Sequence, residues 1–224
     1  MVSRVGVVIP VRGQHELTLA ILSQLVMMED WHECMVLNDG TDHETETVLY
    51  DARAFDKRVH YVSTPARGIY EKWSDGLDWA CAQDCEYVAF LNNDLRLAPG
   101  TFAALASALD KEKRAAIAYP NYDLSTPWAG IRYTTGTYRH GGMSGFAFML
   151  RAAAVDWSPL IDPRFQWWGG DDDLAFNLEA RGWAQARVLG LHVEHLNEGT
   201  ARHHPELAEQ KARDLAAVLE KWGR

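Results

Sequence analysis

The chain has 224 residues, of which 47% are hydrophobic and 24% are charged, as is usual for a single globular α/β domain. Its 31 acidic and 22 basic residues give a formal net charge of −9. Because proteins that hold nucleic acid by its phosphates usually carry a basic excess, this balance disfavours nucleic acid as a partner. Three cysteines are too few for a disulfide framework.

The start of the chain carries only a short apolar run. It covers residues 5–11 and includes Pro10, whereas a membrane-spanning helix needs about 20 apolar residues. No basic segment followed by a long apolar run opens the chain. We therefore expect no membrane span, no secretory signal and a cytoplasmic location.

The first hundred residues alternate between strand and helix patterns. Two segments, residues 17–28 and 69–82, are predicted to be helices. Strands are predicted between and around them, at residues 5–9, 34–37, 59–62 and 87–91. This alternation predicts crossover connections and a mostly parallel central sheet flanked by helices, which is an α/β fold.

The second half of the chain has a less regular pattern. Residues 121–142 are rich in Gly, Thr, Tyr and Pro and form no obvious element, which is typical of a binding loop. The elements predicted around this loop are helices at residues 101–111 and 172–181 and strands at residues 115–119, 146–150 and 184–189.

Pro205 is predicted to open a last amphipathic helix. Such a helix can dock a partner, but covering its own domain is the simpler interpretation. Since the sequence shows no repeat and no linker, we predict one domain over residues 1–224, with halves at 1–100 and 101–204 followed by the helix at 205–224. The predicted apolar side of this helix carries Leu207, Leu215, Val218, Leu219 and Trp222.

Polar residues follow three of the first four predicted strands. Ligands of open α/β sheets bind outside the carboxyl ends of the strands, and parallel strands bring those ends to the same side. Each cluster alone is more simply a turn, yet clusters on several strands favour a binding site. An acidic site for a phosphate-bearing substrate calls for a divalent cation, and oxygen ligands suit Mg²⁺ or Mn²⁺. The clusters are Pro10, Val11 and Arg12, then Asn38 and Asp39, then Asn92, Asn93 and Asp94.

Two tryptophans, two glycines and three aspartates follow one another from Trp167 to Asp173. Aspartates at a helix start can be ordinary caps that complement the helix dipole. The preceding residues favour a sugar site, because flat aromatic faces suit sugar rings and glycines admit a ligand to the backbone. A carboxylate beside them is a candidate general base. The candidate substrate residues are Trp167, Trp168, Gly169 and Gly170.

Two further pairs of residues are possible metal ligands. His192 and His195 stand three residues apart in a predicted strand or loop. A neutral imidazole could complete the shell of a cation that Asp94 begins to bind, and we favour His195 over His192. Cys81 and Cys85 stand one helical turn apart, where inward packing is a simpler explanation than half of a metal site.

Six segments, in this order, resemble motifs of the family 2 glycosyltransferases, which have the GT-A fold with a Rossmann-like sheet. The resemblance extends from residue 5 to about residue 200. Asn38 departs from it, since the family usually has an acid there, and so does Ser74, where asparagine is usual. The six segments are residues 7–11, 37–42, 68–76, 90–94, 162–174 and 195–200.

The resemblance implies an inverting, metal-dependent transfer of a sugar from a nucleoside-diphosphate donor, with a UDP-sugar favoured, to an acceptor hydroxyl. It implies that Asp94 with His195 binds Mn²⁺ or Mg²⁺, and that Asp39 contacts the nucleoside. In this scheme residues 1–100 bind the donor and residues 101–204 the acceptor. The remaining donor positions that it suggests are Arg67, Gly68 and Lys72.

The same resemblance leaves the general base open between two aspartates. The acidic stretch is one residue shorter than that of the family. Alignment from the glycines makes Asp172 the base, whereas alignment from Leu174 makes it Asp171.

Two other functions stay open at this point. A nucleotidyltransferase that makes nucleotide sugars usually has a phosphate loop rich in Gly and Lys near the first strand, where only Arg12 and Gly13 stand. A binding module that has lost turnover would keep the same nucleotide-sugar site. The sequence does not name the acceptor, which could be a glycan, a protein, a lipid-linked intermediate or a modified base.

Overall fold

The computed structural model describes residues 4–40, 42–121, 132–136, 143–196 and 207–223. Most of the predicted binding loop, at residues 122–131 and 137–142, lies outside these ranges. The elements of the first half are β1 (Val5–Val11), α1 (His15–Val26), β2 (Glu33–Asp39), α2 (His43–Phe55), β3 (Val59–Thr64), α3 (Ile69–Ala82) and β4 (Tyr87–Leu91).

The elements of the second half include strands that the sequence pattern does not predict. A single 3₁₀ turn, Ala152–Ala154, follows one of them. They are β5 (Leu95–Leu97), α4 (Thr101–Lys111), β6 (Ala115–Pro120), β7 (Arg132–Gly136), β8 (Ala147–Arg151), α5 (Gly170–Ala180), β9 (Ala184–Leu189), β10 (Val193–His195) and α6 (Leu207–Trp222).

One eight-stranded sheet holds these elements together, in the order β3-β2-β1-β4-β8-β6-β9-β7. The strands β3, β2, β1 and β4 are parallel, and β6 is parallel to β9. The strand β8 runs antiparallel between β4 and β6, and β7 is antiparallel at the edge. The predicted α/β fold with a mainly parallel sheet is therefore confirmed. A separate two-stranded ribbon pairs β5 with β10.

Helices cover both faces of the sheet. Side chains alternate between the two faces along each strand, so a strand that is apolar throughout needs packing partners on both faces. Val7 and Ile9 of β1 pack in the core cluster that contains buried residues of α1, α2 and α4. Val8 packs in the cluster that contains buried residues of α3, α5 and α6. Gly76 lets α3 approach the sheet closely, since a Cβ atom there would lie 2.3 Å from Val8 Cγ1. No helix within the described ranges is both long and apolar enough to cross a bilayer.

The helix α2 has no counterpart in our sequence-based prediction. Its only buried residues are Thr45 and Leu49, so it lacks the wide apolar stripe that reveals a helix. A cap begins it: the Asp42 carboxylate accepts a hydrogen bond of 2.8 Å from the Thr45 amide.

The apolar side of α6 is narrower than predicted. Leu207 and Val218 are buried, and Trp222 packs beside the second core cluster. Leu215 and Leu219 are 45% and 60% exposed, so placing them on the inward side was wrong. A polar residue, Asp214, takes a fully buried position on this helix instead.

Candidate active site

A cleft opens at the carboxyl ends of β1, β2 and β4, which are neighbours in the sheet. The turn before α5 and the start of α3 close its sides. Most of its lining residues belong to the strand-end clusters predicted from the sequence. The cleft is lined by Pro10, Val11, Arg12, Asp39, Ile69, Asn92, Asn93, Asp94 and Trp167.

Asp39 lies at the end of β2 and is almost completely buried. Its carboxylate accepts hydrogen bonds from the backbone amides of Arg67, at 2.7 Å, and Gly68, at 3.1 Å. The Lys72 ammonium lies 3.5 Å from the same carboxylate, and the Arg12 guanidinium 4.0 Å. Charge-assisted bonds of this kind compensate the burial of the carboxylate and fix the loop before α3.

Four of the predicted donor contacts lie outside the lining of this cleft: Asn38, Arg67, Gly68 and Lys72. The Lys72 side chain is fully buried and bonds to Thr64 and Asp39, so it is neither a surface residue nor an open phosphate ligand. The Arg67 guanidinium is on the surface, where it pairs with Glu71 and Asp75 on α3. Asn38 is buried as well.

Asn38 and Asn93 use their amides inside the fold. The Asn38 Nδ2 atom donates to Ser63 Oγ at 3.2 Å, across the β2–β3 pair. The Asn93 Nδ2 atom donates to Thr18 Oγ1 at 3.1 Å and ties the end of β4 to α1. Asn92 is held through its backbone amide, which donates to the Phe146 carbonyl at 2.8 Å.

Asp94 and His195 meet at the edge of the cleft. Asp94 is 1% exposed at the end of β4, and its Oδ1 atom lies 3.2 Å from His195 Nε2. The β5–β10 ribbon brings them together, and the Leu196 amide donates to the Asp94 carbonyl at 2.9 Å. The Phe146 ring stacks on the imidazole with 4.3 Å between ring centroids. The structure thus brings together two side chains that are far apart in the sequence.

The chemistry of this pair fits a divalent cation. With metal–ligand distances of about 2.1 Å, two neighbouring ligands of an octahedral ion lie about 3 Å apart, close to the observed separation. Carboxylate and imidazole are both suitable ligands of Mn²⁺. No group of three or more His, Cys, Asp or Glu side chains that could hold a metal occurs in the described part of the chain. His192 precedes β10 and forms no ion pair with a carboxylate in those ranges.

The three aspartates at the start of α5 have different surroundings. The Asp171 Oδ2 atom accepts a hydrogen bond of 3.0 Å from the Gly145 amide. Burial, and after it the charge of Asp172, raise the pKa of the Asp171 carboxyl to about 6, although the hydrogen bond from the Gly145 amide acts to lower it. Asp173 is fully buried and binds the Asp162 amide and the Trp222 indole, so it serves the fold.

The two tryptophans before α5 diverge. Trp167 lines the cleft, and the Arg12 guanidinium lies 5.3 Å from the centre of its ring. Trp168 lies beside α6, with the Lys211 ammonium 5.8 Å from its ring. Only the first tryptophan therefore occupies the place in the cleft that the sequence suggested for both.

The two glycines after them are explained by packing within the chain. A Cβ atom on Gly169 would lie 2.3 Å from Val218 Cγ2, and one on Gly170 would lie 2.5 Å from the Tyr70 ring. We expected these glycines to admit a ligand to the backbone, but side chains of the protein itself, Val218 and Tyr70, occupy the space beside them.

A family model described as Glycosyl transferase family 2 matches residues 7–156. The chain belongs to this family. It is a glycosyltransferase, and the nucleotidyltransferase alternative falls away. The match includes Asp39 and Asp94 and ends before α5, so Asp171 and His195 lie beyond it.

Solved structures share the GT-A fold of this glycosyltransferase. The mannosyltransferase PcManGT from Pyrobaculum calidifontis, in complex with GDP-Man and Mn²⁺, gives a TM-score of 0.65 at 13% identity over 97% of this chain and 64% of its own. Glucosyl-3-phosphoglycerate synthase from Mycobacterium tuberculosis, with Mn²⁺, UDP and glucosyl-3-phosphoglycerate, gives a TM-score of 0.69 at 17% identity, over 99% of this chain and 80% of its own. GalNAc-T7 with UDP, GalNAc and Mn²⁺ gives a TM-score of 0.69 at 15% identity, over 99% of this chain and 48% of its own.

The glycosyltransferase therefore spans less than two thirds of the length of two of these neighbours. At such low identities the likeness shows the fold. A search of curated protein sequences found no match to the chain.

Three further residues of the site escaped sequence reasoning. Gly145 and Phe146 are adjacent, and they touch Asp171 and His195 respectively, so one short segment contacts both the candidate base and the candidate metal ligand. Asp214, on α6, holds the backbone of the Trp167 turn. A charged residue in the middle of an amphipathic helix was the one available signal, since it stands where the pattern calls for an apolar side chain.

Proposed function

We propose that this glycosyltransferase moves a sugar from a nucleoside-diphosphate donor to an acceptor hydroxyl, with inversion at the anomeric carbon. The observation that carries the proposal is the meeting of Asp94 and His195 beside a cleft at the strand ends. Neighbours solved with GDP-Man or UDP, each with Mn²⁺, support a nucleotide donor and a divalent cation. A UDP-sugar is favoured, as in two of those three neighbours.

The charges around the cleft suit a diphosphate once a cation is bound. The Asp39 carboxylate is already compensated by Lys72 and Arg12, which leaves Asp94 as the carboxylate to be neutralised. A Mn²⁺ or Mg²⁺ ion held by Asp94 and His195 would neutralise the diphosphate and stabilise the charge that develops on it as it leaves. Arg12 and Trp167, which lie together in the cleft, would bind the rest of the donor.

Asp171 is our candidate for the general base. A carboxyl group whose pKa is raised to about 6 still ionises below neutral pH, yet it is a stronger base than an ordinary aspartate. Gly145, which bonds to it, adjoins Phe146, which stacks on His195. The candidate base is therefore connected to the metal-binding pair by one short segment.

The proposed reaction is a single displacement at the anomeric carbon. The acceptor oxygen forms a bond to the anomeric carbon while the bond from that carbon to the diphosphate oxygen breaks. The nucleoside diphosphate leaves with the electron pair, and Asp171 receives the proton of the acceptor hydroxyl. Attack on the face opposite the leaving group inverts the anomeric carbon.

A panel of donors tests this proposal. UDP-Glc, UDP-Gal, UDP-GlcNAc and GDP-Man are mixed with the protein, with and without Mn²⁺, and both thermal stabilisation and slow donor hydrolysis are measured. We expect one donor to raise the melting temperature only with Mn²⁺ and to be hydrolysed. Donor binding without hydrolysis or transfer would favour the binding module, and no stabilisation by any nucleotide would contradict the proposal.

A further inference from the structure

Asp214 is a buried carboxylate far from the strand ends in sequence. It lies on α6, outside the segment that the family model matches, and its side chain is completely shielded from solvent. Burying a charge is costly unless hydrogen bonds compensate it, and the compensation here comes from one turn of the backbone. The amides of Trp167 and Trp168 donate to Asp214 Oδ2 at 2.9 and 3.0 Å, and that of Gln166 donates at 3.3 Å.

A side chain on the same helix orients this carboxylate. The Gln210 Nε2 atom donates to Asp214 Oδ1 at 2.7 Å, one helical turn away. Both oxygens of Asp214 are thus engaged, one mainly by the turn and the other by the helix itself. Asparagine has an NH₂ group, a donor, in place of one of the two oxygens, whereas both oxygen positions accept hydrogen bonds here.

The turn that Asp214 holds carries one wall of the donor cleft. Trp167 lines that cleft beside Arg12. The Gln166 carbonyl accepts a hydrogen bond of 3.1 Å from the Ile69 amide, and Ile69 also lines the cleft. The turn therefore spans from α6 on one side to the start of α3 on the other.

Other contacts keep α6 on the domain without Asp214. The Trp222 indole donates to Asp173 at 2.8 Å, and the Lys221 ammonium lies 2.7 Å from the same carboxylate. Val218 fills the space left by Gly169. The helix is thus anchored at its end by one set of residues, whereas Asp214 is directed at the Trp167 turn.

We propose that Asp214 is a positioning residue, through which α6 holds Trp167 in the donor cleft and thereby sets the affinity for the nucleotide-sugar donor. The part about donor affinity rests on the function proposed above. The part about the position of Trp167 does not. The two parts are tested separately.

The position of Trp167 is tested by ¹⁹F NMR of protein labelled with 5-fluorotryptophan. The resonance of Trp167 is assigned as the one missing in Trp167→Phe. We expect Asp214→Asn to shift or broaden this resonance, while Glu209→Gln, the same acid-to-amide change at an exposed position of α6, leaves it in place. An unchanged resonance in a folded Asp214→Asn protein would overturn the proposal, whether or not any nucleotide binds.

Donor affinity is tested by a double-mutant cycle with the donor and cation that stabilise the wild-type protein. We expect Asp214→Asn to raise the Kd for the donor roughly ten-fold, a typical size for coupling through a shared contact. In a Trp167→Ala background the same change should have no further effect. Equal effects in both backgrounds would show that Asp214 does not act through Trp167 and would overturn the proposal.

A milder variant covers the case in which Asp214→Asn does not fold. Gln210→Leu removes the side chain that orients the carboxylate and leaves the backbone donors in place. It should shift the Trp167 resonance in the same direction by a smaller amount. Trp222→Phe, which weakens the other anchor of α6, should lower the melting temperature without moving that resonance, and a shift as large as that of Gln210→Leu would count against the proposal.

Discussion

The two walls of the cleft at the strand ends are built in different ways. On one side, Arg12, Asp39 and Asp94 stand at the ends of adjacent parallel strands, so the sheet alone places them. On the other side, Trp167 stands on a turn whose backbone amides donate hydrogen bonds to Asp214 on α6.

The candidate catalytic residues of the second half share this dependence on neighbours. Asp171 is held by the Gly145 amide and His195 by the Phe146 ring. The first wall therefore follows from regular secondary structure, whereas the second depends on single tertiary contacts. Substitutions of the residues that hold the second wall in place should therefore alter function as well as stability.

The largest effect should come from the strand-end wall. We expect Asp94→Ala to lower the rate of sugar transfer roughly 10³-fold, because the cation that stabilises the leaving diphosphate loses its carboxylate ligand. The fold should remain intact by circular dichroism. The control is Asp156→Ala, which removes an exposed carboxylate elsewhere. Near-wild-type transfer by Asp94→Ala with Mn²⁺ present would remove Asp94 from the site.

On the second wall, Asp171→Asn should lower the transfer rate roughly 10²- to 10³-fold, the range expected for loss of a general base. Asp172→Asn should lower it much less. In the wild-type enzyme kcat/KM should fall as the pH drops through about 6, because Asp171 becomes protonated there. If Asp172→Asn proves the more harmful change, the two assignments must be exchanged.

The same raised pKa gives a prediction for stability. Because the folded state binds the Asp171 proton more tightly than the unfolded state, this group makes the fold less stable as the pH rises from about 4 to about 6. Above that pH the penalty stays constant. Asp171→Asn should therefore melt at a higher temperature than the wild type at pH 7.5 and lose this advantage at pH 4. An equal or lower melting temperature at pH 7.5 would show that the carboxylate is not destabilising.

The contact that supports His195, the candidate metal ligand, can be tested at Phe146. Replacing Phe146 by Ala removes the ring that stacks on His195, and we expect Mn²⁺ affinity to fall roughly ten-fold, as for other groups that orient metal ligands. Affinity is measured by electron paramagnetic resonance of free Mn²⁺. The matched control is Phe55→Ala, which removes an exposed ring. Unchanged affinity in Phe146→Ala would mean that the ribbon alone positions the imidazole.

A last prediction, which concerns stability and not the chemistry of the site, compares two glycines. Gly169 and Gly182 have φ angles of 77° and 82°, but only Gly169 has a neighbour, Val218, where a Cβ atom would lie. Gly182→Ala should cost about 1 kcal/mol of unfolding free energy from backbone strain alone. Gly169→Ala should cost about 2 kcal/mol more because Val218 must move. Urea denaturation measures both, and equal costs would show that α6 yields freely.

The sequence predicts the first wall well, because long apolar runs identify β1 and β4 and the ends of parallel strands meet. The pairing of Asp94 with His195 is expected from the family resemblance, but no local pattern reveals the elements and contacts that produce it. The ribbon that brings His195 to Asp94 pairs strands of three residues, too short to show a periodicity. The roles of Gly169 and Gly170 depend on Val218 and Tyr70, which no local pattern reveals.

The central claim is that Asp94 and His195 share one cation that holds a nucleoside diphosphate. The most direct test titrates Mn²⁺ into the wild-type protein, Asp94→Asn and His195→Gln, with and without UDP, and measures bound Mn²⁺ by electron paramagnetic resonance. We predict that UDP tightens Mn²⁺ binding in the wild type and that both variants lose this coupling. If both variants kept the wild-type coupling between UDP binding and Mn²⁺ binding, the claim that Asp94 and His195 share the cation would be contradicted.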